Sequence, residues 1–109
     1  MGYDLNLAQR IRDHLSGISA LEEKRMFGGV AFLIRGNMAC GVHGDEMIVR
    51  VGAEKYEAAL HRPFTRPFDM TGRPMAVWIM VSPQGCEQEH DLQDWVKKGI
   101  DFARSLPAK

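Results

Sequence analysis

The hydrophobic pattern at the start of the chain has the period of a helix. Leucine and isoleucine recur every four residues between positions 7 and 15. Either Asp4 or Asn6 precedes this run and suits a helix N-terminus, and Gly17 suits its end. The spacing therefore predicts an amphipathic helix over about residues 5–16.

Residues 26–51 change to the short apolar runs and turn residues of β-strands. Two such runs flank Gly36-Asn37, and a third follows Gly44-Asp45. Both dipeptides suit the positive φ angles of hairpin turns. Gly28-Gly29 lies in the first run, where it indicates a bulge or bend. This segment is therefore predicted to be a three-stranded antiparallel meander.

The second half of the chain alternates between helical and strand patterns. Its apolar spacing predicts a short helix over residues 53–60, then a loop over 61–73 with a short edge strand at 68–70. Residues 75–81 are nearly all apolar, so we expect a central strand covered on both faces. A last amphipathic helix, acidic at its start and basic at its end, ends before Pro107.

This element order predicts a two-layer α+β domain with an antiparallel five-stranded sheet, in the order α-β-β-β-α-β-β-α. The 109 residues suit one domain, so residues 1–109 are expected to form a single unit. Trp78 lies in the predicted central strand, where replacement by alanine would cost about 3–5 kcal/mol. The sheet has two edges, and a homodimer through either is an open alternative.

The composition narrows the classes of function. Fourteen Lys and Arg balance 14 Asp and Glu, which disfavours direct DNA binding because such binding relies on excess positive charge. A hydrophobic share of 45% is too high for a disordered chain, and two cysteines are too few for a disulfide framework. With no recognisable signal peptide or membrane-spanning run, the chain is expected to be cytoplasmic.

The most positive local run contains Arg62 and Arg66 and extends to Arg73, with Phe64 and Phe68 interleaved. Arginine beside phenylalanine could bind a phosphate and stack on an aromatic ligand. Alternatively, the phenylalanines anchor a long connection to the core while the arginines stay solvated. The second interpretation is favoured, because the chain has no wider excess of positive charge.

A second candidate binding segment is Lys24-Arg25-Met26-Phe27-Gly28-Gly29. Its two glycines admit a closely approaching backbone or ligand, although they would equally serve only to bend the strand. The segment lacks the glycine and lysine spacing of a phosphate-binding loop.

Four residues are of the types that bind zinc, namely Cys40, His43, Cys86 and His90. Cys40 and His43 are three residues apart on a predicted strand, so their side chains should lie on opposite faces. The four are therefore weak metal candidates, and we expect no metal and no cofactor. The same geometry disfavours a Cys40–His43 nucleophile and base, and we expect no catalytic residue.

Several motifs together resemble the TfoX/Sxy N-terminal domain family. They are Arg25-Met26-Phe27-Gly28-Gly29 within residues 24–32, the turn at 36–39, the strand at 47–52 and Gly72-Arg73-Pro74-Met75. The resemblance implies the same α+β architecture and a link to regulators of natural competence, which act with the cyclic-AMP receptor protein at certain promoters. It supplies no catalytic residues.

Longer members of this family carry a second, helical C-terminal domain, so this sequence resembles a standalone N-terminal domain. The resemblance implies a non-enzymatic interaction module whose partner is a protein, such as a part of the transcription apparatus. The expected surface combines the segment of residues 24–29 with the loop of residues 62–73. A small-ligand or anion-binding protein, or an enzyme, with a cleft near that loop is the alternative.

Overall fold

Helices pack on one face of an open antiparallel sheet of six strands. The structure is a computed structural model that describes residues 3–26, 28–68 and 77–108. The elements in chain order are α1 (Leu5–His14), β1 (Leu21–Met26), β2 (Gly29–Ile34), β3 (Asn37–His43), β4 (Glu46–Arg50), α2 (Tyr56–Leu60), β5 (Thr65–Pro67), β6 (Trp78–Val81), α3 (Pro83–Cys86) and α4 (Glu89–Arg104). The strand order is β1-β2-β3-β4-β6-β5. The predicted α+β class is confirmed, with six strands in place of five.

The additional strand is β1, and it changes the meaning of the two glycines. Five of its six residues are exposed, so it has no hydrophobic alternation by which to recognise it. Met26 pairs with Gly29, and Gly28 has a φ of +73°. The chain turns there from β1 into β2, so the bulge or bend predicted within one strand is instead the turn between two strands.

The next hairpin turn is centred one residue earlier than predicted. Ile34 pairs with Asn37, and the two residues between them, Arg35 and Gly36, have φ angles of 52° and 82°. Asn37 is buried instead, and its Nδ2 donates a hydrogen bond to the Pro107 carbonyl at 2.9 Å. This bond ties the C-terminal end of the chain to the start of β3.

Other predicted bounds also shift. α1 ends at His14 and α2 begins only at Tyr56. A short edge strand, β5, lies at Thr65–Pro67, whereas the strand predicted at residues 68–70 falls mostly outside the described residues. Phe68 is buried but outside the strand, and residues 69–76 lie outside the described part of the chain. A short helix, α3, precedes α4 and was not predicted.

The strand β6 lies between β4 and the edge strand β5, so it is not at the centre of the sheet. Its last three residues are buried as predicted. Trp78 is only half-buried, because it lies at the start of the strand on the face away from the helices. The strand is therefore covered on both faces over residues 79–81, as expected, but it is not central and Trp78 is not fully buried.

Each face of the sheet has its own cluster of buried side chains. The helix-side cluster joins α1, α4 and the inward strand residues, with the largest members Ile11, Leu15, Phe32, Ile34, Met47, Ile79, Leu92 and Trp95. The opposite face carries a smaller cluster of Ala31, Leu33, Met38, Ile48, Phe68 and Met80. α4 approaches β3 so closely that a Cβ at Gly99 would overlap the Ala39 carbonyl.

Ion pairs join α1 to the start of α4. Arg10 lies 3.1 Å from Glu89, and the His14 Nε2 lies 2.6 Å from the other oxygen of the same carboxylate. Hydrogen bonds from these two side chains lower the pKa of Glu89. The acidic first turn of α4 therefore serves tertiary contacts as well as the helix macrodipole.

Candidate functional site

The two segments with candidate binding residues lie at opposite edges of the sheet. We define the β1 corner as Lys24, Arg25, Met26, Gly28 and Gly29, and the arginine loop as residues 61–68. β1 and β5 are the outermost strands, with four strands between them. At the usual strand spacing this separation is about 24 Å. The segments therefore do not form one surface. Phe27 and Arg73 lie outside the described residues.

The first arginine of the loop is held by α4. The Arg62 Nη1 lies 2.5 Å from Oδ2 of Asp94, and its guanidinium carbon lies 4.1 Å from the centre of the Trp95 ring. The Lys98 Nζ donates to the same Asp94 oxygen at 3.1 Å. Burial acts to raise the pKa of Asp94, but the hydrogen bonds from Lys98 and Arg62 outweigh it and the pKa is lowered. Arg62 is thus a neutralised part of the packing.

The second arginine of the loop is also paired. Two nitrogens of Arg66 donate to the two carboxylate oxygens of Glu46, at 3.1 and 2.6 Å. Arg62 is half-buried against α4, contrary to the expectation that the loop arginines stay solvated. Arg66 is 51% exposed and fits that expectation, although it is paired. Of the two interleaved phenylalanines, Phe68 is buried as an anchor, whereas Phe64 is 54% exposed.

The β1 corner has a different environment. Within the residues that the structure describes, Lys24 and Arg25 form no side-chain hydrogen bond and no ion pair. Met26 is 37% exposed. The space that a Cβ on Gly28 would occupy has no atom within 4 Å, whereas a Cβ on Gly29 would overlap the Val42 carbonyl. Gly28 therefore leaves an open surface, and Gly29 permits the close packing of β2 on β3.

Side chains alternate between the two faces of β1. Glu23 receives two hydrogen bonds from Arg12 of α1, at 2.5 and 2.8 Å, so the odd-numbered residues lie on the helix side. Lys24 and Met26 consequently lie on the opposite side, away from Arg25. The strand therefore places the two cations of the corner on different faces.

The four zinc candidates do not form one cluster. Cys40 is buried within β3, and the Sγ of Cys86 lies 4.0 Å from the Met47 sulfur. His90 is exposed beside Asp91, and His43 lies at the end of β3. Burial raises the pKa of each thiol to about 12, so both are protonated at neutral pH. Among the described residues, no three His, Cys, Asp or Glu side chains are grouped closely enough to bind a metal ion.

A groove of about 530 Å³ lies between residues 51–55 and the C-terminal half of α4. Phe102 forms part of its wall, together with Lys55, Lys98 and Asp101. Sequence reasoning did not identify it. The residue that could have indicated the groove is Gly52, shortly after β4. It has a φ of +88° and contacts the Phe102 ring so closely that a Cβ would lie 2.6 Å from it.

Arg50 borders this region at the end of β4. Its guanidinium lies 5.1 Å from the ring centres of both Trp78 and Phe102. Its Nε is buried and finds no hydrogen-bond acceptor among the described residues, and burial lowers the pKa of the group. The two aromatic rings contact the cation, and no carboxylate of the described chain is paired with it.

No helix among the described residues has the length and apolar character needed to cross a membrane.

Comparison with known proteins identifies a family rather than an individual relative. No curated protein and no solved structure matches the chain. The family described as the TfoX N-terminal domain matches residues 13–103, which is most of the chain. The six-stranded α+β domain described above therefore belongs to the TfoX N-terminal domain family.

Proposed function

We propose that this domain is a non-enzymatic interaction module, as its likeness to the N-terminal domain of TfoX/Sxy competence regulators suggests, and that the β1 corner contacts a protein partner. One observation supports this choice of surface. Arg62 and Arg66 are neutralised by carboxylates of the same chain, while Lys24 and Arg25 have no such partner among the described residues. A cation that is not paired internally keeps its charge available for a partner.

The chemistry of the corner indicates what this partner presents. Lys24 and Arg25 favour carboxylates on the partner, and the exposed Met26 offers a flexible apolar contact. The open space at Gly28 admits close approach of a partner backbone. We therefore propose an acidic segment with an apolar side chain, carried by a protein of the transcription apparatus.

The experiment compares two charge reversals of equal size in affinity capture from the source cell. Arg25→Glu changes the corner, and Lys55→Glu changes an exposed lysine of the groove as a matched control. We expect proteins captured by the wild type to be retained by Lys55→Glu and reduced at least about tenfold by Arg25→Glu, because an attractive charge contact becomes repulsive. Quantitative mass spectrometry measures the captured amounts.

Circular dichroism on both variants verifies that each is folded. Equal capture by Arg25→Glu and the wild type would show that the corner is not the binding surface. Loss of capture by Lys55→Glu alone would instead assign binding to the groove.

The groove supports a second candidate function, the binding of a small anionic ligand. The alternative expected from the sequence was a cleft near residues 62–73, a segment of which residues 69–73 lie outside the described part of the chain. The described groove between residues 51–55 and α4 is lined by Lys98, which shares Asp94 with Arg62. Titration with benzoate and with inorganic phosphate tests it, with the Phe102 ring resonances as the readout. A saturable shift that Ala53→Trp abolishes supports a ligand site, and unchanged resonances at millimolar concentration exclude binding of these two probes.

A further inference from the structure

We propose that β1 pairs antiparallel with β1 of a second copy of the chain, across a two-fold axis at Glu23. The two six-stranded sheets would then form one continuous sheet with the helices of both copies on the same side. This pairing uses β1 itself, to which Lys24, Arg25 and Met26 of the β1 corner belong. Its test uses the purified chain alone and does not depend on whether the corner also binds another protein.

The strand has the properties needed for edge pairing. β1 is an outermost strand of six residues that pairs in regular register with β2 along its whole length. Its outer backbone edge therefore has the regular spacing that another strand requires. β5, at the other edge, has only three residues and includes Pro67, which lacks a backbone N–H.

Charges on an edge strand commonly prevent such pairing, but here they complement one another. Glu22 and Glu23 are followed by Lys24 and Arg25, so the strand has two acids and then two bases. When the strand is turned through 180°, its acidic half lies against the basic half of the original. Antiparallel pairing with itself therefore brings opposite charges together.

The symmetry axis decides which side chains face one another. A two-fold axis that relates two antiparallel edge strands must be perpendicular to the sheet, so both copies keep the same face on the same side. Directly opposed residues must then share a face, which in β1 means that both are odd-numbered or both even-numbered. Glu22 can therefore lie opposite Lys24 of the second copy, but not opposite its Arg25.

Of the registers that satisfy this condition, the two most nearly centred on the six-residue strand have the axis at Lys24 or at Glu23, and the charges favour the second. With Lys24 on the axis, two lysines would lie opposite each other, and neither has a counter-ion among the described residues of its own chain. With Glu23 on the axis, each glutamate is already neutralised by Arg12 of its own chain. The second register also places Glu22 opposite Lys24 twice, on the face away from the helices. It places Leu21 opposite Arg25, whose aliphatic part can cover the leucine.

A single pair of strands is a small interface, so we expect a reversible dimer with a Kd on the order of 10–100 µM. Sedimentation velocity of the purified wild type over a concentration series measures it. Glu22→Lys and Lys24→Glu each replace two attractive cross-strand pairs by repulsive ones. Each variant alone should therefore raise the Kd at least about tenfold.

The decisive test mixes these two variants in equal amounts. Positions 22 and 24 are then both basic in the Glu22→Lys chain and both acidic in the Lys24→Glu chain, so both cross-strand pairs become attractive again. We expect the mixture to sediment as a heterodimer with a Kd near that of the wild type. Glu54→Lys, an exposed change outside β1, is the matched charge control and should leave the wild-type Kd unchanged.

Cysteine substitution tests the position of the axis. Glu23→Cys places two thiols opposite each other and should form an intermolecular disulfide under mild oxidation, while Lys24→Cys should not. The native Cys40 and Cys86 are buried and do not compete. Two results would overturn the proposal. One is a wild type that is monomeric at 1 mM, a concentration about tenfold above the weakest Kd expected. The other is a mixture that dimerises no better than either variant alone. Preferential cross-linking through Lys24→Cys would also overturn the register.

Discussion

The arginine loop and the β1 corner look alike in sequence, since each combines basic residues with phenylalanine and glycine or proline, yet their environments differ. Arg62 is held by Asp94 and the Trp95 ring, and Arg66 by Glu46. Within the described chain, Lys24 and Arg25 have no equivalent partners. A run of basic residues in the sequence therefore indicates an unpaired positive surface only if no neighbouring element places a carboxylate against it.

The largest expected difference between the two regions is in stability. Trp95 is 1% exposed and supports Arg62, so Trp95→Ala should lower the free energy of unfolding by about 3–5 kcal/mol. Met26→Ala in the β1 corner should change it by less than about 0.5 kcal/mol, because that side chain is partly exposed and lies at a turn. Urea denaturation measures both. Similar losses in the two variants would contradict the division into an anchored loop and an open corner.

A smaller difference in stability is expected between variants of Arg62 in the arginine loop and of Arg25 in the β1 corner. Arg62→Ala removes a cation–π contact and an ion pair that is partly exposed, so we expect a loss of about 1–2 kcal/mol. Arg25→Ala should lie within about 0.5 kcal/mol of the wild type. Thermal and urea unfolding of the matched pair test this, and a greater loss for Arg25→Ala would show that the corner has internal partners.

The smallest effect concerns pH and the one ion pair that fixes β1 to α1. A hydrogen bond from Arg12 lowers the pKa of Glu23 below its ordinary value of 4.5. A lowered pKa in the folded state stabilises the fold above pH 4.5, and the gain disappears as the pH falls through the lowered value. Glu23→Gln should therefore cost about 0.5 kcal/mol at neutral pH and nothing once the wild-type Glu23 is protonated.

The measurement is the free energy of unfolding of the wild type and of Glu23→Gln between about pH 7 and pH 2, the range that spans this titration. Low micromolar protein concentration keeps self-association out of the comparison. Glu22→Gln is the control, since no side-chain partner of Glu22 is found among the described residues. A difference between wild type and Glu23→Gln that persists at the acidic end would show that the Arg12 ion pair is not its cause.

The sequence predicted the elements whose residues are buried in a regular pattern. The helix face that includes Leu92, Trp95 and Val96 and the buried strand at 79–81 follow directly from hydrophobic spacing. β1 was not predicted because its exposed charges resemble those of a loop, and its pairing with β2 depends on the turn at Gly28. Local propensity has little weight for an edge strand, where pairing with the neighbour decides the conformation.

The candidate surface was predicted in composition but not in arrangement. The residues of the corner and the loop were both identified, whereas the strand order that separates them depends on β6 lying between β4 and β5. The partners of Arg62 and Arg66 are 32 and 20 residues away in sequence. Spacing within one segment carries no information on such contacts.

The central claim is that the β1 corner, and not the arginine loop, contacts a protein partner. The most direct test places a photo-crosslinking amino acid in living cells at Met26 or at Phe64, the exposed apolar residues near the two opposite edges. We predict adducts with a different protein from Met26 and none from Phe64. Adducts from Phe64 alone, or from Met26 only with a second copy of this chain, would contradict the claim.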